Sequence, residues 1–229
     1  MMRFLYALYQ LVVVLPLMVV TTIITALVTM LGSIVNAHYW GYWPAHIWAR
    51  FVCWLLLMPV KVEGREHLVK GQSYVFVANH QSALDIFMIY GYLQRNFKWM
   101  MKASIRRIPF VGAACASAKH IFVDRSAPHA LKQSYEQARS TLISGTSLVV
   151  FPEGHRTFTG KMGSFKRGAF QLAEEITLPI VPLTINGAFD ALPRTRGLGF
   201  VRHQRLTLTI HAPIFPPHEH KSVMAASYE

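Results

Sequence analysis

Residues 4–49 contain not one Lys, Arg, Asp or Glu, and residues 4–31 are almost wholly apolar or threonine. A run of that length without charge argues against the core helix of a soluble domain, and it exceeds the about 20 apolar residues needed to cross a bilayer. A cleaved signal peptide fits poorly, because its apolar part is usually about 7 to 15 residues long and only Arg3 precedes this one. Cysteine is nearly absent as well. Cys53 and Cys115 are the only two, and Cys53 lies in the apolar N-terminal region, so a disulfide framework is not expected and a reducing compartment is permitted. Acidic residues are scarce, 11 against 23 Lys plus Arg, for a net charge of +12. No nucleic-acid-binding motif accompanies that charge, so it points to anionic lipid and anionic substrates and away from nucleic acid. There is no internal repeat and no low-complexity tract.

What is present is concentrated in four short blocks. Asn79-His80 follows the apolar run 74–78, and Asp85 follows His80 by five residues. A neutral imidazole removes a proton from an alcohol when one ring nitrogen is free and the other is held as a donor, and a carboxylate fixes that tautomer. On one straight helix the two residues would lie about 140° apart. A strand ending near Ala78, a turn carrying His80 and a helix starting near Ser82 instead bring Asp85 beneath the imidazole. The same Ser82 to Asp85 spacing also fits a capping box, in which Asp85 does no more than satisfy a helix N-terminus. The second block, His120 to Arg125, sets an arginine at the end of an apolar strand. In the third, Phe151-Pro152-Glu153-Gly154-His155-Arg156, proline ends a strand, glycine lets backbone approach a ligand, and Arg156 offers a planar fork of donors for phosphate oxygens. The fourth, Pro179-Ile180-Val181-Pro182, reads as a buried strand with a proline that demotes it to an edge or terminal position unless a bulge takes the ring.

In that order and spacing the four blocks, N-H-x-x-x-x-D, I-F-V-D-R, F-P-E-G-x-R and P-I-V-P, resemble the 1-acyl-sn-glycerol-3-phosphate acyltransferase family of glycerolipid acyltransferases. The resemblance implies transfer of a fatty acyl group from acyl-CoA or acyl carrier protein to a lysophospholipid hydroxyl, with no cofactor. It implies His80 as general base, Asp85 as its orienting partner, and Lys102, Arg125, Glu153, Gly154 and Arg156 as holders of the glycerol phosphate. Phe165-Lys166-Arg167-Gly168 resembles a further basic element or a solvated helix start. His155 stands where the family usually has threonine and leaves other acceptors open, glycerol 3-phosphate or an amino-acid or other lysolipid among them. The non-catalytic alternative is a membrane lipid-binding protein. A metal-dependent hydrolase is disfavoured because His80 and Asp85 are too few ligands. Ser82 is not expected to be a nucleophile, and backbone N–H groups near the helix start after His80 are expected to receive the oxyanion.

Strands are expected at 74–78, 121–123, 148–151, 180–185 and 206–210, and helices at 82–93, 128–144 and 166–176. This alternation predicts an α/β domain over residues 61–212, a mixed mostly parallel sheet flanked by helices, with ligands at the strand ends. Residues 1–60 are expected to be membrane-embedded, with Tyr39, Trp40, Tyr42 and Trp43 as an interfacial aromatic cluster. The second apolar run, 51–60, is short for a span, so one span plus an interfacial helix and a hairpin within one leaflet both fit. The basic domain is expected on the cytoplasmic face, at the inner membrane if bacterial. Residues 213–229 are expected to be an irregular tail.

Overall fold

The computed structural model describes residues 2–123, 128–142, 145–196, 199–216 and 219–228. Seven strands form one sheet: β1 (Val60–Glu63), β2 (Val75–Ala78), β3 (Phe97–Lys102), β4 (Ile121–Val123), β5 (Ser147–Val150), β6 (Ile180–Asn186) and β7 (Leu206–Ile210), in the order β1-β7-β6-β2-β5-β3-β4. Every neighbouring pair is parallel except β6 with β7, so the mixed, mostly parallel sheet expected from the sequence is the fold.

β2 shows why its run of consecutive apolar residues forms a central strand. Side chains alternate across a strand, and both faces of β2 are covered. Phe76 and Ala78 join the core beneath α3 (Trp43–Leu55) and α4 (Leu84–Tyr92). Val75 and Val77 join a second core with α6 (Pro128–Thr141), α7 (Gly168–Glu175) and α9 (His220–Ala226). α3 and α4 touch closely at Gly91, where a Cβ would lie 3.1 Å from the backbone nitrogen of Arg50. Pro182 is accommodated inside β6, with β2 on one side and β7 on the other.

The N-terminal apolar run forms one long helical rod: α1 (Met2–Tyr9), a π-helical turn at Gln10–Val14, and α2 (Leu15–Trp40), which kinks at Asn36. Asn36 accepts the N–H groups of His38 and Tyr39, both at 3.0 Å, and so caps the segment beyond the kink. Both ends of the rod are tied to the rest of the molecule. Near its start, the Gln10 amide donates to Val201 O at 2.9 Å and accepts from Val201 N at 2.8 Å, while Tyr6 and Tyr9 donate to the carbonyls of Leu56 and Leu55. Near its end, Asn96 donates to His38 O and Lys98 to Ala37 O. Between these ties the outward side is apolar, with Leu11, Val19, Ile24, Leu31 and Val35 exposed. The second apolar run does not continue as a membrane helix, since α3 ends at Leu55 and the chain enters β1 at Val60.

Two further elements complete the description. α5 (Val111–Ser117) packs against α2, and α8 (Ala188–Ala191) follows β6. The C-terminal segment, expected to be irregular, is partly ordered. Ile214 bridges Ile180, and α9 packs against α7 and buries Val223 in the core they share.

Candidate active site

The site begins where β2 ends. Asn79 extends the strand with its side chain, donating to Ile185 O at 3.0 Å and accepting from Ile185 N at 2.7 Å, as a backbone peptide would. This clamp fixes the residue before His80. The His80 backbone N–H then donates to Glu153 Oε1 at 2.7 Å, and its carbonyl accepts from Thr157 N at 2.9 Å. Its ring lies face to face with Phe151, the centroids 3.8 Å apart and the planes 10° from parallel. Backbone and ring are therefore both held before the carboxylate is considered.

Asp85, fully buried in the first turn of α4, meets His80 Nδ1 at 2.9 Å through Oδ2. The same oxygen accepts the N–H groups of Gln81 at 2.7 Å and Ser82 at 2.9 Å. The orienting and the capping readings of Asp85 thus describe one side chain doing both. With Nδ1–H donated to the carboxylate, the free lone pair of the neutral ring is on Nε2. His80 lines a groove of about 1310 Å³ that runs between α2 and the sheet domain.

Of the backbone N–H groups near the helix start after His80, where an oxyanion is expected, those of Gln81 and Ser82 are taken by Asp85. The Ser82 hydroxyl is buried and donates to Leu192 O at 2.8 Å, away from any nucleophilic role. Glu153 corrects another expectation. It is 2% exposed, and its two oxygens accept His80 N and Gly163 N, each at 2.7 Å. An occupied, buried carboxylate does not face a phosphate; it joins the β5 loop to the β2 loop.

The other expected residues divide by position. Lys102, exposed at the end of β3, and Gly154, exposed with φ 77°, both line the groove. His155 lines it too, its Nδ1 directed at Arg156 O at 3.2 Å. Arg156 is half-buried, and its guanidinium makes no hydrogen bond or ion pair among the described residues; its carbonyl accepts from Arg194. Arg125 lies outside the described residues. Lys166, at the start of the basic element, also lines the groove. Among the described residues no three His, Cys, Asp or Glu side chains gather in a way that would hold a metal ion.

Sequence reasoning missed the wall behind His80. Trp99 stacks on Phe151 at 5.3 Å, and its backbone N–H donates to Nδ1 of His120 at 3.1 Å. That leaves the His120 proton on Nε2, from which it donates to the Tyr90 hydroxyl at 2.7 Å. Burial holds His120 neutral, its pKa lowered to about 3, and burial with the nearby Lys119 charge lowers Lys98 to about 8. The leading aromatic of F-P-E-G and the buried strand before it were the available signals; the contacts are too distant in sequence to be read there.

Residues 59–186 match the acyltransferase family. A chloroplastic 1-acyl-sn-glycerol-3-phosphate acyltransferase of Arabidopsis thaliana is 34% identical over 68% of this chain and 43% of its own length. One from Pseudomonas aeruginosa is 35% identical over 61% of this chain and 55% of its own length. The crystal structure of a 1-acyl-sn-glycerophosphate acyltransferase from Thermotoga maritima superposes with a TM-score of 0.67 at 28% identity, covering 80% of this chain and 75% of that one. The chain spans about half the length of the first curated relatives it matches.

Proposed function

From the premise that this chain belongs to the acyltransferase family, we propose that it transfers a fatty acyl group from an acyl-CoA or acyl carrier protein thioester to the free hydroxyl of 1-acylglycerol 3-phosphate, giving phosphatidic acid. The observation that carries the reading is the His80–Asp85 pair at 2.9 Å, with the ring braced on Phe151 and open to a lipid-sized groove.

Each step follows from that geometry. His80 Nε2 takes the proton of the acceptor hydroxyl as its oxygen attacks the thioester carbonyl carbon. Asp85 steadies the imidazolium that forms. Collapse of the tetrahedral intermediate breaks the C–S bond, and the departing sulfur receives the proton from Nε2. No acyl-enzyme is required, because the thioester is already activated and Ser82 is engaged elsewhere. General-base assistance supplies about 10²- to 10⁴-fold, and positioning much of the rest. Lys102 and Arg156 are the described cations suited to the acceptor phosphate. Arg125 is proposed beside them on its sequence block alone. Gly154 permits close approach through its left-handed backbone. Glu153 acts by holding the His80 loop.

We place the protein on a membrane within one leaflet, its basic domain on the cytoplasmic face. The rod from Gln10 to His38 is about 42 Å long at 1.5 Å per residue, yet both ends bond to the same domain and its outward side is apolar. A helix fastened in this way lies along the interface.

The test is radiolabelled acyl transfer by purified protein in detergent, offering lysophosphatidic acid beside glycerol 3-phosphate and amino-acid lysolipids. Labelled phosphatidic acid from the lysophosphatidic acid alone supports the reading. Product from another acceptor alone keeps the chemistry and moves the substrate, with His155 the first residue to examine. Activity unchanged by a strong chelator would exclude the metal-hydrolase alternative.

A further inference from the structure

This inference rests on the acyl transfer proposed above and concerns which acyl chain the groove is built for. Threonines recur along α2 at positions 21, 22, 25 and 29, and they behave in two ways. Thr21 and Thr22 return their hydroxyls to the preceding turn, to Leu17 O at 2.6 Å and Met18 O at 2.5 Å. Thr25 and Thr29 do not: neither hydroxyl has a partner among the described residues. Both line the groove, and Thr29 is only 5% exposed.

A helical threonine has a carbonyl of the preceding turn within reach, so two that leave it unused keep their hydroxyls free for a ligand, and an apolar chain filling the groove would strand them unless it carried a partner. Trp48 of α3 lines the same groove, and its buried indole N–H is likewise without an acceptor. The surrounding wall is apolar, with Ala26, Ala45, Ile86 and Phe87. Unpaired polar groups on one side of an apolar groove match an apolar chain that carries an oxygen.

The acceptor lipid arrives through the bilayer, and its chain can remain there. The donor arrives from water on a soluble carrier, so its chain is the one that needs a protein wall. We propose that the groove between α2 and the sheet domain binds a hydroxylated acyl chain of the thioester donor. In this arrangement the chain hydroxyl donates to one of Thr25 and Thr29 and accepts from the other.

The experiment uses the full chain in detergent with lysophosphatidic acid as acceptor. A saturated acyl-CoA is compared with hydroxyacyl-CoAs of the same length, the hydroxyl stepped along the chain. One hydroxyl position should be preferred by about tenfold in kcat/KM, the scale of one or two buried hydrogen bonds. The preference should fall close to unity in Thr25→Val/Thr29→Val, which keeps the branched shape, and persist in Thr25→Ser/Thr29→Ser, which keeps the hydroxyls. Equal kcat/KM for every donor, or a preference that survives the valine pair, overturns the site. So does an effect confined to ester- against ether-linked acceptors, which would set the hydroxyls against the acceptor instead. Failure to turn over any thioester removes the acyl transfer itself and the inference with it, a result distinct from loss of selectivity alone.

Discussion

Asp85 joins two tasks that a single substitution can separate. Through Oδ2 it orients His80 and also caps the Gln81 and Ser82 N–H groups. Asp85→Asn retains an oxygen for capping but cannot steady an imidazolium, so the transfer rate should fall by about 10²- to 10⁴-fold with a smaller loss of thermal midpoint than Asp85→Ala. An Asp85→Asn transfer rate close to that of the unmutated protein would leave only the capping role. His120 gives a pH prediction of definite sign. Its folded pKa is lowered by burial to about 3 from 6.5, so the unfolded chain binds the extra proton between those values. Stability should therefore drop as pH falls through that window, and His120→Gln should flatten the drop in a pH series of unfolding midpoints. The His80–Asp85 pair was legible because five residues fix its local geometry. The role of Glu153 was not, since its partners stand 73 and 10 residues away and its type gave no hint of two backbone donors.

At the scale of elements, strands with consecutive branched residues declared themselves, and β2 and β5 sit within a residue or two of their expected bounds. β1 and β3 did not. β1 alternates Val with Lys and Glu over four residues, and β3 places Lys98 in the interior, a polar residue that masks the pattern. The π-helical turn, which ends two residues before Pro16, was equally hidden in its extent and in its tertiary contact. Gln10 pairs with both backbone groups of Val201, and an inserted residue in a helix often marks such a contact. Gln10→Leu leaves those groups unpaired and should cost about 1–3 kcal/mol, read as a lower unfolding midpoint in detergent. An unchanged midpoint would mean the rod is held without Gln10, by its other ties and its apolar packing.

At the scale of the whole molecule, the sequence divided membrane helices from a catalytic domain, whereas the structure gives α3 and the sheet a common core and runs α2 along one wall of the groove that His80 lines. That sharing is invisible to hydropathy, which reports burial without saying whether lipid or protein supplies it. In-plane docking predicts that single cysteines at the exposed positions Arg3 and Arg50 are labelled from the same side of sealed vesicles. Opposite-side labelling would establish a span. The proposed function requires that this groove, with His80 at its wall, make phosphatidic acid. The most direct measurement is the initial rate of phosphatidic acid formation from lysophosphatidic acid and an acyl thioester, for the unmutated protein and for folded His80→Ala. The prediction is a rate reduced by at least about 100-fold in the variant; a variant within tenfold of the unmutated protein would contradict it.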